Sequence, residues 1–236
     1  MVAMTSAAKH EWNELLGTVQ VWWTSPDDVS VDELRRRCLA WLSPSDRARR
    51  ERLRSDKLRH EHLITRALCR ATLSRYTGVD PAAWTFVENE NGKPSIEVPG
   101  EFTSLRFNLT HTEGLIACAV TRAGEVGVDA ENTLRRIDVD QITRHFFDES
   151  ERALLAKSAT IEDRTEKFFE LWVVKEAMLK GIGAGVSRLP ESIAADGNWQ
   201  LTVHRPTPNH VAACAIRPAD GNLPIPVEWN VADLAL

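Results

Sequence analysis

The six residues Leu115-Ile-Ala-Cys-Ala-Val120 include no polar side chain. Such a run is short for a buried helix and too uniform for a strand with one face in water. It reads as a central strand covered on both faces, so the fold must supply a layer on each side of it. A run of the same kind, His210-Val-Ala-Ala-Cys-Ala-Ile216, lies near the end of the sequence. Two copies do not make a solenoid. With helical and strand patterns in both halves, they predict two similar α+β lobes related by pseudo-twofold symmetry. The expected boundary is the turn at Ala123 and Gly124, which gives an N-terminal lobe of residues 1–122 and a C-terminal lobe of residues 123–236, with an active site at the seam.

The rest of the pattern fits that division. Val19 to Thr24 reads as a short buried strand and Val31 to Leu42 as a helix stopped by Ser43 and Pro44. Asp46 to Tyr76 predicts one or two helices with Ile64, Ala67, Leu68 and Ala71 facing the core, and Gly78 ends the run. Strands are expected at Trp84–Val87 and Leu105–Leu109, separated by the turn Asn91-Gly92-Lys93-Pro94. After Val126–Ala130, helices are expected over Val139–Lys157 and Glu162–Gly181, then strands at Trp199–His204 and His210–Ile216.

Charge and cysteine usage narrow the function. The net charge is −5, yet Ser43 to Tyr76 holds ten Lys or Arg against four Asp or Glu, so a local balance of +6 leaves −11 on the remainder. A basic strip on an acidic chain suits a defined anion or one acidic partner; aromatic residues do not interleave with these arginines as single-stranded nucleic acid would require. A merely solvated helix face stands level with that reading. Cys38, Cys69, Cys118 and Cys214 are dispersed and lack the paired spacing of a zinc site, which suggests reduced core thiols in a cytoplasmic protein. No stretch has the length and apolarity of a membrane span or the pattern of a secretory signal.

Two segments carry candidate chemistry. In Gly127-Val-Asp-Ala-Glu131 the two-residue period of a strand aims Asp129 and Glu131 from one face. In Phe168 to Lys180, Phe169, Trp172, Glu176 and Leu179 fall on one helical stripe, so Glu176 is a carboxylate where an apolar residue is expected. Carboxylates about 5 Å apart repel by on the order of 3 kcal/mol at an effective dielectric near 20. A cation must therefore sit among them if they meet, and oxygen ligands with room for water and phosphate suit magnesium. Ordinary ion pairing, for instance of Glu176 with Lys175, remains an equal alternative on the residues alone. Lys175 and Lys180 flank Glu176, and a lysine one turn beyond it is placed for a phosphate, or for a solvated pair. His111 closes a strand in the polar run Asn108-Leu-Thr-His-Thr112, where function often gathers.

These segments together resemble the phosphopantetheinyl transferase superfamily, in particular its two-lobed, Sfp-like group. The similarity is ordered along most of the chain: arginine-rich helices after Ser43-Pro44, then Gly92-Lys-Pro94, Phe107-Asn-Leu-Thr-His111, Gly127-Val-Asp-Ala-Glu131 and Trp172-Val-Val-Lys-Glu-Ala-Met-Leu-Lys180. The last two at this separation are the specific ones. The resemblance implies that Asp129, Glu131 and Glu176 hold Mg2+ on the pyrophosphate of coenzyme A, and that His111 and Lys180 contact phosphate. It implies that Lys93 and Pro94 lie beside the adenine, and that Arg47 and Arg49, with Arg59 in reserve, reach the 3'-phosphate. Thr110 and Thr112 stand where many relatives have serine, and Thr110 keeps a hydroxyl for phosphate. Val173 replaces a small hydroxyl residue common in relatives.

The implied reaction is transfer of phosphopantetheine from coenzyme A, as co-substrate, to a serine of an apo acyl or peptidyl carrier protein, with release of 3',5'-ADP. Glu176, or failing it Glu131, would take the serine proton. A carrier-binding module without catalysis would need no carboxylate triplet, and a metal-dependent nucleotide phosphohydrolase would not need the Trp172–Lys180 pattern. With both lobes in one chain, a monomer can supply the whole cleft.

Overall fold

The computed structural model describes residues 6–29, 31–97, 102–183, 198–221, 224–232 and 234. Its elements run α1 (Ser6–Glu14), β1 (Val19–Thr24), α2 (Val31–Trp41), α3 (Pro44–Glu51), α4 (Asp56–Thr77), β2 (Phe86–Glu88), β3 (Pro94–Ile96), β4 (Arg106–Thr112), β5 (Leu115–Thr121) and β6 (Gly124–Asn132). Then come α5 (Val139–Phe146), α6 (Glu149–Ala156), α7 (Ile161–Ile182), β7 (Gln200–Thr207), β8 (His210–Pro218) and β9 (Val227–Val231). The class is α+β.

The apolar run at 115–120 is an inner strand, as its composition demands. β4, β5, β1 and β9 form one sheet in that order, and β6, β8 and β7 form another. Successive side chains of β5 point to opposite faces. Leu115, Ala117 and Ala119 join Val19 and Val21 against Val126, Val128, Ala130, Ala212, Cys214 and Ile216, so the two sheets share one core. Ile116 and Cys118 point the other way and pack under Ile64, Ala67, Leu68 and Ala71 of α4. On the far side of the second sheet, Phe169, Val173 and Ala177 of α7 cover Val211, Ala213 and Ala215. The layers are therefore helix, sheet, sheet, helix, with 22-residue helices α4 and α7 on the outside.

Local chemistry sets the ends of these helices. Ser55 caps α4 through Leu58 N–H, and Gly78 ends it at φ 72°, a left-handed position that costs a residue with a Cβ. The expected helix over 139–157 is two helices, because Phe147 leaves helical geometry and Asp148 opens α6 with a capping box to Glu151. The chain passes from the first sheet to the second at residues 121–124, but β9 returns to pair in parallel with β1. Residues 227–231 thus belong to the sheet of the N-terminal half.

Candidate active site

The backbones of β6 and α7 approach closely where both sequences place glycine. A Cβ on Gly127 would lie 1.9 Å from the carbonyl oxygen of Ala177 and 2.4 Å from the nitrogen of Gly181. This contact lays the last turns of α7 along β6 and brings Glu176 and Lys180 to Asp129. Lys180 Nζ donates to Asp129 Oδ1 at 2.6 Å and to Thr110 Oγ1 at 3.1 Å. Asp129 is buried, and its second oxygen, Oδ2, is buried without any hydrogen-bond partner. An ionised carboxylate oxygen in that position is costly unless a cation meets it.

Electrostatics repeat the point. The Glu176 carboxyl is pushed up to about 7, first by burial and then by the charge of Asp129, with Lys180 opposing and Glu131 adding to the rise. Glu131 is raised by burial and then by Asp129, while Arg135 and a hydrogen bond from Trp172 pull it back. After burial, the charge of Asp129 is the largest cause of the rise in both glutamates. Among the described residues no three His, Cys, Asp or Glu side chains form a ready-made cage. The unpartnered Asp129 Oδ2 is of the hard oxygen type that a divalent cation takes.

His111 sits at the exposed end of β4, its imidazole held below the ordinary histidine range by desolvation and then by Lys180. Thr110, two residues deep in the same strand, accepts from Ala130 N–H at 3.3 Å and donates to Asp129 Oδ1 at 3.1 Å. Lys93 and Pro94 line a cavity of about 550 Å3 with Asn89, Arg106, Glu125 and Arg217. Lys93 Nζ donates to Gly181 O at 2.7 Å, and Asn89 and Asn91 donate to Gly183 O, so this turn also caps the C-terminal carbonyls of α7. Burial lowers the Lys93 pKa, with Glu125 partly offsetting it.

Lys175 lies elsewhere. Its helical position is one residue from Glu176, which turns it by about 100° away from the carboxylate stripe. It is buried against Glu151 at 2.8 Å and over the Phe147 ring, binding α7 to α6. Lys175 is therefore not among the groups that the structure brings to Asp129. The arginine strip is divided in the same way. Arg47 donates to the carbonyls of Leu39 and Leu42 at the end of α2, and Arg59 pairs with Asp56. Arg49 is exposed, 3.6 Å from Glu88, and lines a cavity of about 420 Å3 with Arg66 and Arg70.

Several residues here escaped sequence reasoning. Arg66 and Arg70 both pair with Asp46, at 3.1 and 3.0 Å. His62, beside Arg66, has two buried ring nitrogens without partners, and burial followed by Arg66 lowers its pKa to about 4. The i, i+4 spacing of 62, 66 and 70 on α4 is a legible signal.

Comparison with known proteins bears on this arrangement. Residues 125–215, which contain α7 and all of β6 but its first residue, match a family model described as the 4'-phosphopantetheinyl transferase superfamily. The chain is 30% identical over 205 residues to 4'-phosphopantetheinyl transferase HetI of Nostoc, covering 82% of this chain and 86% of that relative. It is 28% identical over 186 residues to 4'-phosphopantetheinyl transferase Sfp of Bacillus subtilis, covering 78% and 80%. A similar protein from Aneurinibacillus migulanus, 4'-phosphopantetheinyl transferase gsp, is 31% identical over 144 residues, 61% of this chain and 57% of its own length.

Proposed function

The chain belongs to the 4'-phosphopantetheinyl transferase superfamily, and from that premise we propose how it moves phosphopantetheine from coenzyme A to a serine of a carrier protein. The observation that carries the proposal is Asp129, with one oxygen on Lys180 and the other buried and unpartnered, beside Glu131 and Glu176, whose carboxyls are raised first by burial and then by the Asp129 charge. Asp129, Glu131 and Glu176 would hold Mg2+, which when bound supplies positive charge to the pyrophosphate.

The protein's own groups account for the remaining steps. The serine hydroxyl attacks the phosphorus that bears the pantetheine arm, and the bond from that phosphorus to 3',5'-ADP breaks. Glu176 accepts the serine proton on its carboxylate. Without a cation this carboxyl lies at about 7, and a bound cation would lower it, so the group that receives the proton is ionised at neutral pH. Lys180, at the end of α7, would leave Asp129 Oδ1 to share charge with the departing 5'-phosphate of 3',5'-ADP, and His111 at the end of β4 would meet phosphate. Lys93 and Pro94 suit the nucleotide end because they line the cavity nearest the end of α7. Arg49 is the best placed of the three strip arginines for the 3'-phosphate: Arg47 is committed to helix carbonyls and Arg59 to Asp56, whereas Arg49 is exposed and opens on the cavity that it shares with Arg66 and Arg70. We assign residues 1–122 to the nucleotide end and residues 123–236 to the metal carboxylates, and place the protein in the cytoplasm.

The test is mass spectrometry of a panel of apo acyl and peptidyl carrier proteins after incubation with the protein, coenzyme A and Mg2+. One phosphopantetheine per carrier is expected, with equimolar 3',5'-ADP. No modified carrier across the panel would overturn the reading, and full turnover in excess chelator would overturn the role of the cation.

A further inference from the structure

β6 is an edge strand of its sheet, and β4 is an edge strand of the other. An edge strand buried in a protein leaves a row of amides that must find acceptors. Here the acceptors are side chains. Val128 N–H donates to Asn108 Oδ1 at 2.9 Å, Ala130 N–H to Thr110 Oγ1 at 3.3 Å, and Asn132 N–H to Thr112 Oγ1 at 3.3 Å, each across a separation of 20 residues. Both strands have a two-residue period, so the three contacts repeat in register. The same hydroxyls turn their protons to the carboxylates between those amides: Thr110 to Asp129 Oδ1 at 3.1 Å, and Thr112 to Glu131 Oε2 at a longer 3.5 Å.

A threonine hydroxyl has one proton and two lone pairs. For Thr110 all three are engaged, the proton by Asp129 and the lone pairs by Ala130 N–H and Lys180 Nζ. Nothing on it is left for a phosphate while Lys180 stays. We propose that Asn108, Thr110 and Thr112 form a side-chain ladder that joins the two sheets and aims the carboxylates of β6, with Thr110 and Thr112 acting as positioning residues for Asp129 and Glu131 rather than as substrate contacts. The proposal rests on the transferase reading above for what the carboxylates hold. It stands on the hydrogen bonds alone for how they are held. The methyl group of threonine plays no part in it, so serine serves equally at both positions.

The experiment compares Thr110→Val and Thr110→Ser with wild type by three measurements. They are amide exchange at Ala130, Mn2+ binding in the presence of coenzyme A by electron paramagnetic resonance, and the separate values of kcat and KM for coenzyme A. Thr110→Val is expected to speed exchange at Ala130 and weaken Mn2+ binding, each by roughly tenfold, the worth of one buried hydrogen bond. It should lower kcat more than it changes KM, and Thr110→Ser should restore all three. A KM increase with unchanged Mn2+ affinity would make Thr110 a substrate contact and overturn the proposal. So would a serine variant as damaged as valine, or a valine variant indistinguishable from wild type. If Thr110→Val does not fold, Thr112→Val carries the same comparison through exchange at Asn132 near the exposed end of the ladder. Wild-type protein that binds no Mn2+ would refute the metal reading and the aiming role together, and amide exchange would still decide whether the ladder joins the sheets.

Discussion

Replacing Glu176 by Gln should stabilise the cation-free protein above pH 7 and leave its stability nearly unchanged below pH 5. Burial and the Asp129 charge raise the carboxyl from 4.5 to about 7. Below 4.5 the group is protonated in both folded and unfolded chains and contributes nothing to their difference. As pH rises from 4.5 to 7, the unfolded chain ionises while the folded chain keeps its proton, so the folded state loses stability over that window. At 1.36 kcal/mol per pH unit the ceiling of the loss is about 3 kcal/mol. The side chain is only partly buried, and solvent screening reduces the expected loss to about 1–2 kcal/mol. Gln has nearly the same shape and no charge, so it removes the penalty. Urea denaturation in excess chelator, followed by tryptophan fluorescence at pH 5, 6, 7 and 8, should show the variant gaining on wild type between pH 5 and 7 and holding level above. Mg2+ with coenzyme A should shrink the gap, because it stabilises the wild-type carboxylate. A difference that does not vary with pH, or a variant less stable at pH 8, would refute the reasoning.

Three further outcomes follow from contacts described above. Gly127→Ala should cost roughly 1–3 kcal/mol, because its methyl group overlaps Ala177 O, and thermal denaturation reads the loss; an unchanged melting temperature would show that β6 and α7 can separate freely. Lys175→Ala should destabilise by about 3–5 kcal/mol by stranding the buried Glu151 carboxylate, with coenzyme A affinity by calorimetry unchanged at a temperature where the variant is folded. Arg49→Glu should raise the KM for coenzyme A well above its effect on 3'-dephospho-coenzyme A, and equal effects would remove Arg49 from the 3'-phosphate.

The meeting of the three carboxylates was legible where a short period decides geometry. Asp129 and Glu131 share a face because a strand alternates, and Glu176 reaches them because its helical stripe is otherwise apolar. Lys175 shows that adjacency in sequence is not adjacency in space. On a helix the next residue points elsewhere, and only Glu151 on another helix reveals where. The break at Phe147 was legible in the Asp148-to-Glu151 capping spacing. The side-chain ladder was not, because an Asn-x-Thr-x-Thr pattern is an ordinary polar face until a second sheet's edge lies upon it. Nor was β9, whose partner β1 lies some 200 residues away and whose outer face lacks a buried pattern.

That parallel pairing has a consequence for how the protein is made. The hydrogen-bonding edge of β1 that receives β9 is translated some 200 residues before it, along with Gln20, which later donates to Glu228 and accepts from Asn230. A ribosome adding about 5–20 residues per second needs on the order of 10–40 s to reach β9. Through that interval the nascent chain presents a bare strand edge, the surface on which chains pair with the wrong partner. Slower elongation should therefore lengthen the exposure and lower the yield of soluble protein, while β9 supplied in trans during synthesis should raise it.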